Sequence, residues 1–174
     1  MKSSVVRLAD CNIQMDSIVD GEGIRSVVWF QGCSHNCKGC HNPETHDFLG
    51  GTEVLIESIK EQIKSLEFQS GVTFSGGDPM FQVEALVELA KYVHECGMNV
   101  WCYTGFTFEQ LLEMSKNNEL YLEALKNIDV LVDGKFCLEL KSFQAPFRGS
   151  TNQRVIDVAS SLKSGKVIQI EKYI

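Results

Sequence analysis

Short runs of β-branched and aromatic residues alternate along the chain with longer stretches in which apolar residues recur at helical spacing. Residues 26–31 (Ser-Val-Val-Trp-Phe-Gln) form the first run and stop at Gly32, which predicts a buried strand followed by a turn. Similar runs predict further strands at residues 72–75, 99–103, 130–132 and 167–170.

The stretches between these strands carry helix signals. Residues 53–68 present one apolar stripe at helical spacing, which predicts a first helix. Asp78 is a residue type that caps helices and Pro79 suits the first helical position, so a second helix is predicted from there to Gly97. Thr107 and Gln110 have capping-box spacing and predict a third helix. A fourth is predicted at residues 120–125.

This alternation of strands and helices predicts an α/β fold with right-handed crossovers and a mainly parallel sheet. A chain of 174 residues is too short for eight complete strand-helix units, so we expect an incomplete, open (β/α) barrel in a single domain over residues 1–174. Functional loops in such folds gather at the carboxyl ends of the strands.

Charge and hydropathy narrow the classes of partner. The chain has 16 basic and 23 acidic residues, a formal net charge of -7, and no lysine or arginine cluster longer than a pair. A surface that tracks phosphates is not expected, which argues against a nucleic-acid partner. No apolar run reaches the length of a signal peptide or a membrane span, so we expect a cytoplasmic protein without a membrane partner.

Three of the seven cysteines are clustered directly after the first predicted strand. Cys33, Cys37 and Cys40 have C-x3-C-x2-C spacing, and the other four cysteines are scattered. An odd, unevenly spaced set does not suggest a disulfide framework and favours reduced thiols that bind metal. Three thiolates hold three irons of a cubane cluster and leave the fourth iron open. An open position is typical of a catalytic rather than a structural metal site.

Two other metal sites share part of this pattern. Cys37 to His41 matches the C-x-x-C-H pattern of covalent haem attachment, which would require export of the protein and would leave Cys33 unexplained. A zinc site of three cysteines and one histidine would need the adjacent Cys40 and His41 to face one tetrahedral ion, which the backbone makes awkward. An open iron-sulfur cluster is the preferred interpretation, with zinc and haem as alternatives.

Two glycine-containing turns follow later predicted strands. Ser75-Gly76-Gly77-Asp78-Pro79 stands between a strand and a helix, where paired glycines let a ligand approach and exposed amides favour a carboxylate. There Asp78 would accept a bond from an ammonium group. The same residues equally fit a tight turn with a helix cap. Asp133-Gly134-Lys135 would clamp a polar ligand or form an ordinary hairpin turn.

Two polar segments have no single interpretation. Residues 19–25 form a glycine-containing turn before the first strand, and residues 147–154 are rich in hydrogen-bond donors, including Arg148 and Arg154. The second segment suits contact with an anion or a peptide backbone. Each is equally well explained as a solvated loop.

The cysteine loop after one strand and the Gly-Gly-Asp turn after the next together resemble the radical S-adenosylmethionine superfamily. Within it, residues 19–40 are similar to the activases that install a glycyl radical on a partner enzyme. Residues 129–136 and 148–154 narrow the resemblance, which spans residues 16–154, to activators of anaerobic ribonucleoside-triphosphate reductase. Gly39, where many superfamily members carry an aromatic residue, fits this subfamily, whereas Glu22 stands where activases often have proline.

The resemblance implies a 4Fe-4S cluster bound by Cys33, Cys37 and Cys40, whose open iron is chelated by S-adenosylmethionine. It also implies cofactor-binding roles for residues of four strand-end loops: Gly39, Cys40, His41, Gly76, Gly77, Asp78, Thr104, Asp133 and Lys135. No catalytic residue beyond the cluster and the cofactor is expected.

The same resemblance implies a reaction and its partners. An electron from reduced flavodoxin or a similar donor would cleave S-adenosylmethionine to methionine and a 5′-deoxyadenosyl radical. That radical would take hydrogen from a glycine in the large subunit of anaerobic ribonucleoside-triphosphate reductase. The alternatives are an activase of another glycyl radical enzyme, of the formate-lyase type, and a non-catalytic iron-sulfur or zinc-binding module.

Overall fold

The computed structural model describes residues 4–174, which form one mixed sheet with helices packed against it. The strands are β1 (Val5–Leu8), β2 (Gln14–Ser17), β3 (Arg25–Phe30), β4 (Thr52–Leu55), β5 (Gly71–Gly76), β6 (Asn99–Tyr103), β7 (Val130–Asp133) and β8 (Arg154–Asp157). The helices are α1 (Ile56–Lys64), α2 (Val83–Glu95), α3 (Phe108–Ser115), α4 (Leu120–Lys126) and α5 (Val158–Ser164).

Four parallel strands form the centre of the sheet. The strand order is β4-β1-β3-β5-β6-β7-β8, with β2 paired to β3 off this path. Strands β3, β5, β6 and β7 run parallel, while β1, β2, β4 and β8 pair antiparallel at the flanks. The predicted α/β class and parallel sheet are confirmed, and the antiparallel flanks were not predicted.

The two faces of the sheet bury different residues. On β6, Val100 and Cys102 belong to the large apolar core that includes the buried faces of α1, α2, α3 and α4. Trp101 lies in a second cluster on the opposite face, where Tyr103 and Tyr173 also pack. This alternation follows from the two-residue period of a strand. Both faces of the central strands are therefore covered, as parallel sheets require.

Local signals placed several elements correctly. The predicted strand at residues 99–103 is β6, and the predicted strands at 72–75 and 130–132 lie within β5 and β7. Thr107 and Gln110 form the predicted capping box at the start of α3. Asp78 accepts the Met80 amide and caps a 3-10 turn at Pro79–Gln82, from which α2 continues.

Three predictions of elements were wrong or incomplete. The first helix does not begin at residue 53, because Thr52–Leu55 forms β4 and pairs with β1. No strand forms at residues 167–170, where only Gln169 makes an isolated bridge to Ile156. The strands β1, β2, β4 and β8 and the helix α5 were not predicted. Among residues 4–174 we find no helix with the length and apolarity needed to cross a bilayer.

Candidate functional site

The sequence motifs meet at one edge of the sheet. Because β3, β5, β6 and β7 are parallel, their carboxyl ends lie side by side. The cysteine loop follows β3, the Gly-Gly-Asp turn includes the end of β5, Thr104 follows β6, and Asp133 ends β7. The parallel topology therefore brings four segments that are distant in sequence into one site.

A cavity of about 130 Å³ opens at this edge and is lined by all three clustered cysteines, Cys33, Cys37 and Cys40. Its wall also includes residues from each of the neighbouring loops: His35, His41, Asn42, His46, Ser75, Gly76, Gly77, Tyr103, Thr104, Gly105, Gly134, Phe136 and Gln153. In the part of the chain that the structure describes, no three His, Cys, Asp or Glu side chains converge on one metal ion. A multi-iron cluster spreads its thiolates over several irons.

The cysteine loop is held at its base by bonds that involve no metal. The Gly32 amide donates to the Thr45 carbonyl at 2.8 Å, and the Cys33 amide donates to the His46 carbonyl at 3.1 Å. The buried Gln31 side chain donates to the carbonyls of Glu44 (3.1 Å) and Asp47 (2.7 Å). The two ends of the loop are thereby fixed next to each other.

The three thiols are free and each receives a backbone donor. Amides of His35 and Phe136 donate to the sulfurs of Cys33 and Cys37, and the Asn42 amide donates to Cys40 at 3.4 Å. Burial raises the pKa of the Cys33 thiol to about 11, and it also raises the pKa of Cys37. Amide donors to sulfur are among the means by which proteins tune iron-sulfur clusters, so this donor set fits a cluster bound by three cysteines.

The glycines of the Gly-Gly-Asp turn permit two backbone segments to touch. A Cβ at Gly77 would lie 2.5 Å from the Gly32 carbonyl oxygen, and Gly76 has a φ of 106°. The amides of Gly77 and Asp78 donate to the carbonyls of Phe30 (2.8 Å) and Gly32 (3.0 Å). These amides hold the turn against the base of the cysteine loop. The sequence had predicted that they would be exposed to a ligand carboxylate.

The Asp78 carboxylate is 0% exposed and is fully engaged within the protein. Its Oδ2 accepts from His35 Nε2 at 2.6 Å, from Thr104 Oγ1 at 2.9 Å and from the Gly105 amide at 2.9 Å. Its Oδ1 accepts from the Met80 amide at 2.9 Å. The side chain predicted to accept a ligand's ammonium group therefore already accepts from four donors within the protein.

The other predicted site residues divide into two groups. Thr104 and His41 line the cavity, and the His41 ring packs against Phe136 with centroids 4.8 Å apart. Gly39, with a φ of 75°, allows the sharp turn of the loop next to the Leu138 side chain. It is not part of the cavity wall.

Asp133 and Lys135 lie outside the cavity wall, although Gly134 between them is part of it. The Asp133 carboxylate is 1% exposed and accepts from the Phe108 amide (2.7 Å) and from Nε and Nη2 of Arg154 (2.9 and 2.5 Å). The hydrogen bonds that Arg154 donates to Asp133 raise the pKa of Arg154. Strands β7 and β8 are antiparallel, but residues 134–153 separate them, so Asp133-Gly134 does not form a two-residue hairpin.

His35 was not among the predicted site residues, although it lies inside the cysteine loop. Its ring reaches Asp78, which is 43 residues away in sequence. A histidine between two clustered cysteines was the only available signal. Its partner becomes visible only when the ends of β3 and β5 are placed side by side.

Three thiols line one cavity at the carboxyl edge of parallel strands in an α/β fold, an arrangement that suits an iron-sulfur protein. Residues 19–156 match the model of the family described as 4Fe-4S single cluster domain. The chain is 34% identical over 144 residues to the anaerobic ribonucleoside-triphosphate reductase-activating protein of Haemophilus influenzae, covering 78% of this chain and 89% of the relative. It belongs to the family of these reductase-activating proteins.

Two further relatives are similar to this chain. The activating protein of Escherichia coli strain K12 is 33% identical over 146 residues, covering 79% of this chain and 91% of the relative. The pyruvate formate-lyase-activating enzyme of Clostridium pasteurianum is 36% identical over 135 residues, covering 73% of this chain. The match spans only 55% of that enzyme's length.

Proposed function

We propose that this protein activates an anaerobic ribonucleoside-triphosphate reductase by generating a glycyl radical on its large subunit. The observation that carries the proposal is the cavity wall, which among the described residues contains Cys33, Cys37 and Cys40 and no fourth cysteine. Such a site fits a 4Fe-4S cluster with one iron left for a small-molecule chelator. The relatives named as reductase-activating proteins match nearly their whole length, which supports the choice of partner.

A cluster held here and reduced by an external donor would supply the one-electron chemistry for reductive cleavage of S-adenosylmethionine, which would in turn allow hydrogen to be removed from the partner's glycine. Cys33, Cys37 and Cys40 hold the cluster in this proposal. The chain's own contribution is binding, orientation and exclusion of water. The cavity needs no acid-base pair, because no proton is moved by a side chain in the proposed reaction.

The surrounding residues have distinct proposed roles. Gly76, Gly77, Thr104 and His41 line the cavity and would contact S-adenosylmethionine. Asp78 is proposed to position the loops, because its carboxylate already accepts hydrogen bonds from His35 and Thr104. Asp133 is proposed to act through Gly134, which reaches the cavity wall.

Gly39 and Lys135 are proposed to contact the cofactor only at the margin of the site. Gly39 shapes the turn of the cysteine loop, and Lys135 is exposed beside the cavity. Reduced flavodoxin or a similar cytoplasmic donor would supply the electron. The chain's own net charge is -7, so an exposed basic group such as Lys135 is a candidate contact for an acidic donor.

The decisive experiment mixes the anaerobically reconstituted protein with a reductase large subunit, a reductant and S-adenosylmethionine. Electron paramagnetic resonance should then detect a glycyl radical on the reductase. A Cys37→Ala variant should give no radical and no 5′-deoxyadenosine, whereas Cys11→Ala, which changes an exposed cysteine away from the cavity, should match the wild type. Radical formation by Cys37→Ala would refute the ligand assignment.

The alternative activity is activation of a formate-lyase-type enzyme, which the similarity to the Clostridium pasteurianum enzyme favours. The same mixture with a formate-lyase partner in place of the reductase separates the two. A non-catalytic cluster module would bind iron and sulfide but would produce no 5′-deoxyadenosine with either partner.

A further inference from the structure

His35 occupies the centre of the longer arm of the cysteine loop, between Cys33 and Cys37. Its side chain is only 7% exposed, although neighbouring loop residues Ser34 and Asn36 are exposed. Its Nε2 lies 2.6 Å from Oδ2 of Asp78. Since an ionised carboxylate only accepts hydrogen bonds, the Nε2–H group of His35 donates.

The surroundings of the His35 ring fix its orientation. The rings of Phe106 and Phe81 pack against it with centroid distances of 4.5 and 5.5 Å. A Cβ at Gly105 would lie 2.4 Å from Cδ2 of the imidazole, so the backbone after β6 lies directly against the ring. The ring therefore has little room to rotate away from its bond to Asp78.

Asp78 connects three loops through one carboxylate. It lies in the turn after β5, and it receives His35 from the loop after β3 and Thr104 and Gly105 from the loop after β6. All the donors are buried or half-buried, so each bond is protected from competing water. Removing one donor leaves a buried carboxylate with an unfilled acceptor site, which is energetically costly.

We propose that His35 is a positioning residue that sets the distance between the cysteine loop and the Gly-Gly-Asp turn. This inference rests on the proposed function, because it concerns how the three thiols are held relative to the wall that faces S-adenosylmethionine. His35 acts through Asp78, although its ring also forms part of the cavity wall. Without its bond, the arm from Cys33 to Cys37 keeps the base of the loop and the Phe136 contact with Cys37, but it loses its side-chain tie to the turn after β5.

The test compares reconstituted wild type with His35→Ala and His35→Gln. His35→Ala removes the donor, and His35→Gln restores an amide N–H of similar reach. The matched control is His94→Ala, because His94 also bonds an aspartate, Asp129, at 2.8 Å, but at the opposite end of the sheet. Three quantities are measured for each protein: the rate of iron release to a chelator, the affinity for S-adenosylmethionine, and the change that S-adenosylmethionine causes in the electron paramagnetic resonance spectrum of the reduced cluster.

His35→Ala should release iron about tenfold faster and bind S-adenosylmethionine about tenfold more weakly than the wild type, as expected for loss of an outer contact of a metal site. His35→Gln should recover most of both losses, and His94→Ala should show neither. Wild-type iron release and cofactor affinity in His35→Ala would overturn the proposal. So would a His35→Gln variant as impaired as His35→Ala, since the bond to Asp78 would then not be the cause.

A second variant covers the case in which His35→Ala does not fold. Asp78→Asn keeps the size of the side chain and removes the charge that His35 faces, and it should also release iron faster and change the spectrum. Wild-type behaviour of Asp78→Asn would contradict the positioning role. A wild-type protein that holds iron normally but cleaves no S-adenosylmethionine would instead refute the proposed function. Faster iron release from His35→Ala than from the wild type would still support the positioning role in that case.

Discussion

At the scale of single residues, the structure depends on a few buried polar groups whose partners come from distant parts of the chain. Arg25 is 0% exposed, and burial lowers its pKa to about 10. Its guanidinium donates to Thr73 Oγ1 (2.8 Å), Asn99 Oδ1 (2.7 Å) and the Val72 carbonyl (3.0 Å), and it lies over the Trp101 ring. The residue closes the amino end of the parallel strands, opposite the cysteine cavity.

Replacing Arg25 should therefore cost much more than replacing a surface arginine. Arg25→Met removes the donor that serves the buried Thr73 and Val72 acceptors and should lower the free energy of unfolding by about 3 kcal/mol. Urea denaturation followed by circular dichroism measures this loss. The control Arg7→Met removes a partly exposed ion pair with Glu53 and should cost less than about 1 kcal/mol. Equal losses in the two variants would contradict the role assigned to Arg25.

At the scale of elements, sequence predicted those whose signals are local. The capping box of α3 and the apolar runs of β5, β6 and β7 are contained within a few residues, and the structure confirms them. Strand β4 was not predicted because its position depends on pairing with β1, where Leu8 pairs with Thr52. An apolar stripe at residues 53–68 cannot reveal that partner, so the pattern was assigned to the helix that begins three residues later.

The candidate site shows the same division. The three cysteines were identified from spacing alone, and the structure places them around one cavity. The inward role of Asp78 was not predicted, because a helix cap and a ligand contact need the same residue types. Its donors His35 and Thr104 are 43 and 26 residues away, so only the parallel pairing of the strands reveals them.

The capping box of α3 allows a prediction about this element. Thr107 Oγ1 accepts from the Gln110 amide at 3.1 Å, and the Gln110 side chain accepts from the Thr107 amide at 2.8 Å. Thr107→Ala should lower the free energy of unfolding by about 1 kcal/mol, because the first turn loses a partner for its amides. Urea denaturation checks this value. Thr151→Ala, at an exposed turn position, is the matched control and should be close to neutral.

At the scale of the whole molecule, the last described residues cover the face of the sheet that the helices leave open. Tyr173 packs against Phe147 and Trp101 with ring centroids 5.2 and 6.2 Å apart. The Tyr173 carbonyl accepts from Arg148, and its hydroxyl donates to Glu22 at 2.7 Å. Residues 155–174 lie beyond the part of the sequence that resembles the activases. Through Tyr173 they connect the last part of the chain to Glu22, near its beginning.

Substitutions at Tyr173 should separate packing from hydrogen bonding. Tyr173→Ala leaves a cavity beside Trp101 and Phe147 and should lower the free energy of unfolding by about 3 kcal/mol. Tyr173→Phe removes only the hydroxyl that bonds Glu22 and should cost about 1 kcal/mol. Urea denaturation of both variants gives the comparison. A loss in Tyr173→Phe as large as that in Tyr173→Ala would show that ring packing contributes little.

The contact between Glu22 and the tail should depend on pH. Hydrogen bonds from Lys172 and Tyr173 lower the pKa of Glu22 below its ordinary value of 4.5. A carboxylate whose pKa is lower in the folded state stabilises the fold above its ordinary pKa, and this contribution is lost as pH falls through the folded value. Glu22→Gln should therefore destabilise the protein at about pH 7 and should have little effect at about pH 2. Denaturation of both proteins at a series of pH values tests this, and a difference that grows toward acid would contradict it.

The base of the cysteine loop has a consequence for how the protein acquires iron. Gln31, Gly32 and Cys33 donate hydrogen bonds to the carbonyls of residues 44–47, and no metal takes part in these bonds. Zinc fingers, by contrast, fold only when their metal arrives. Because these hydrogen bonds join protein groups alone, we expect the base of the loop to keep its shape in protein that has not yet bound iron. The apoprotein should accordingly show cooperative unfolding and a native-like spectrum before it is loaded.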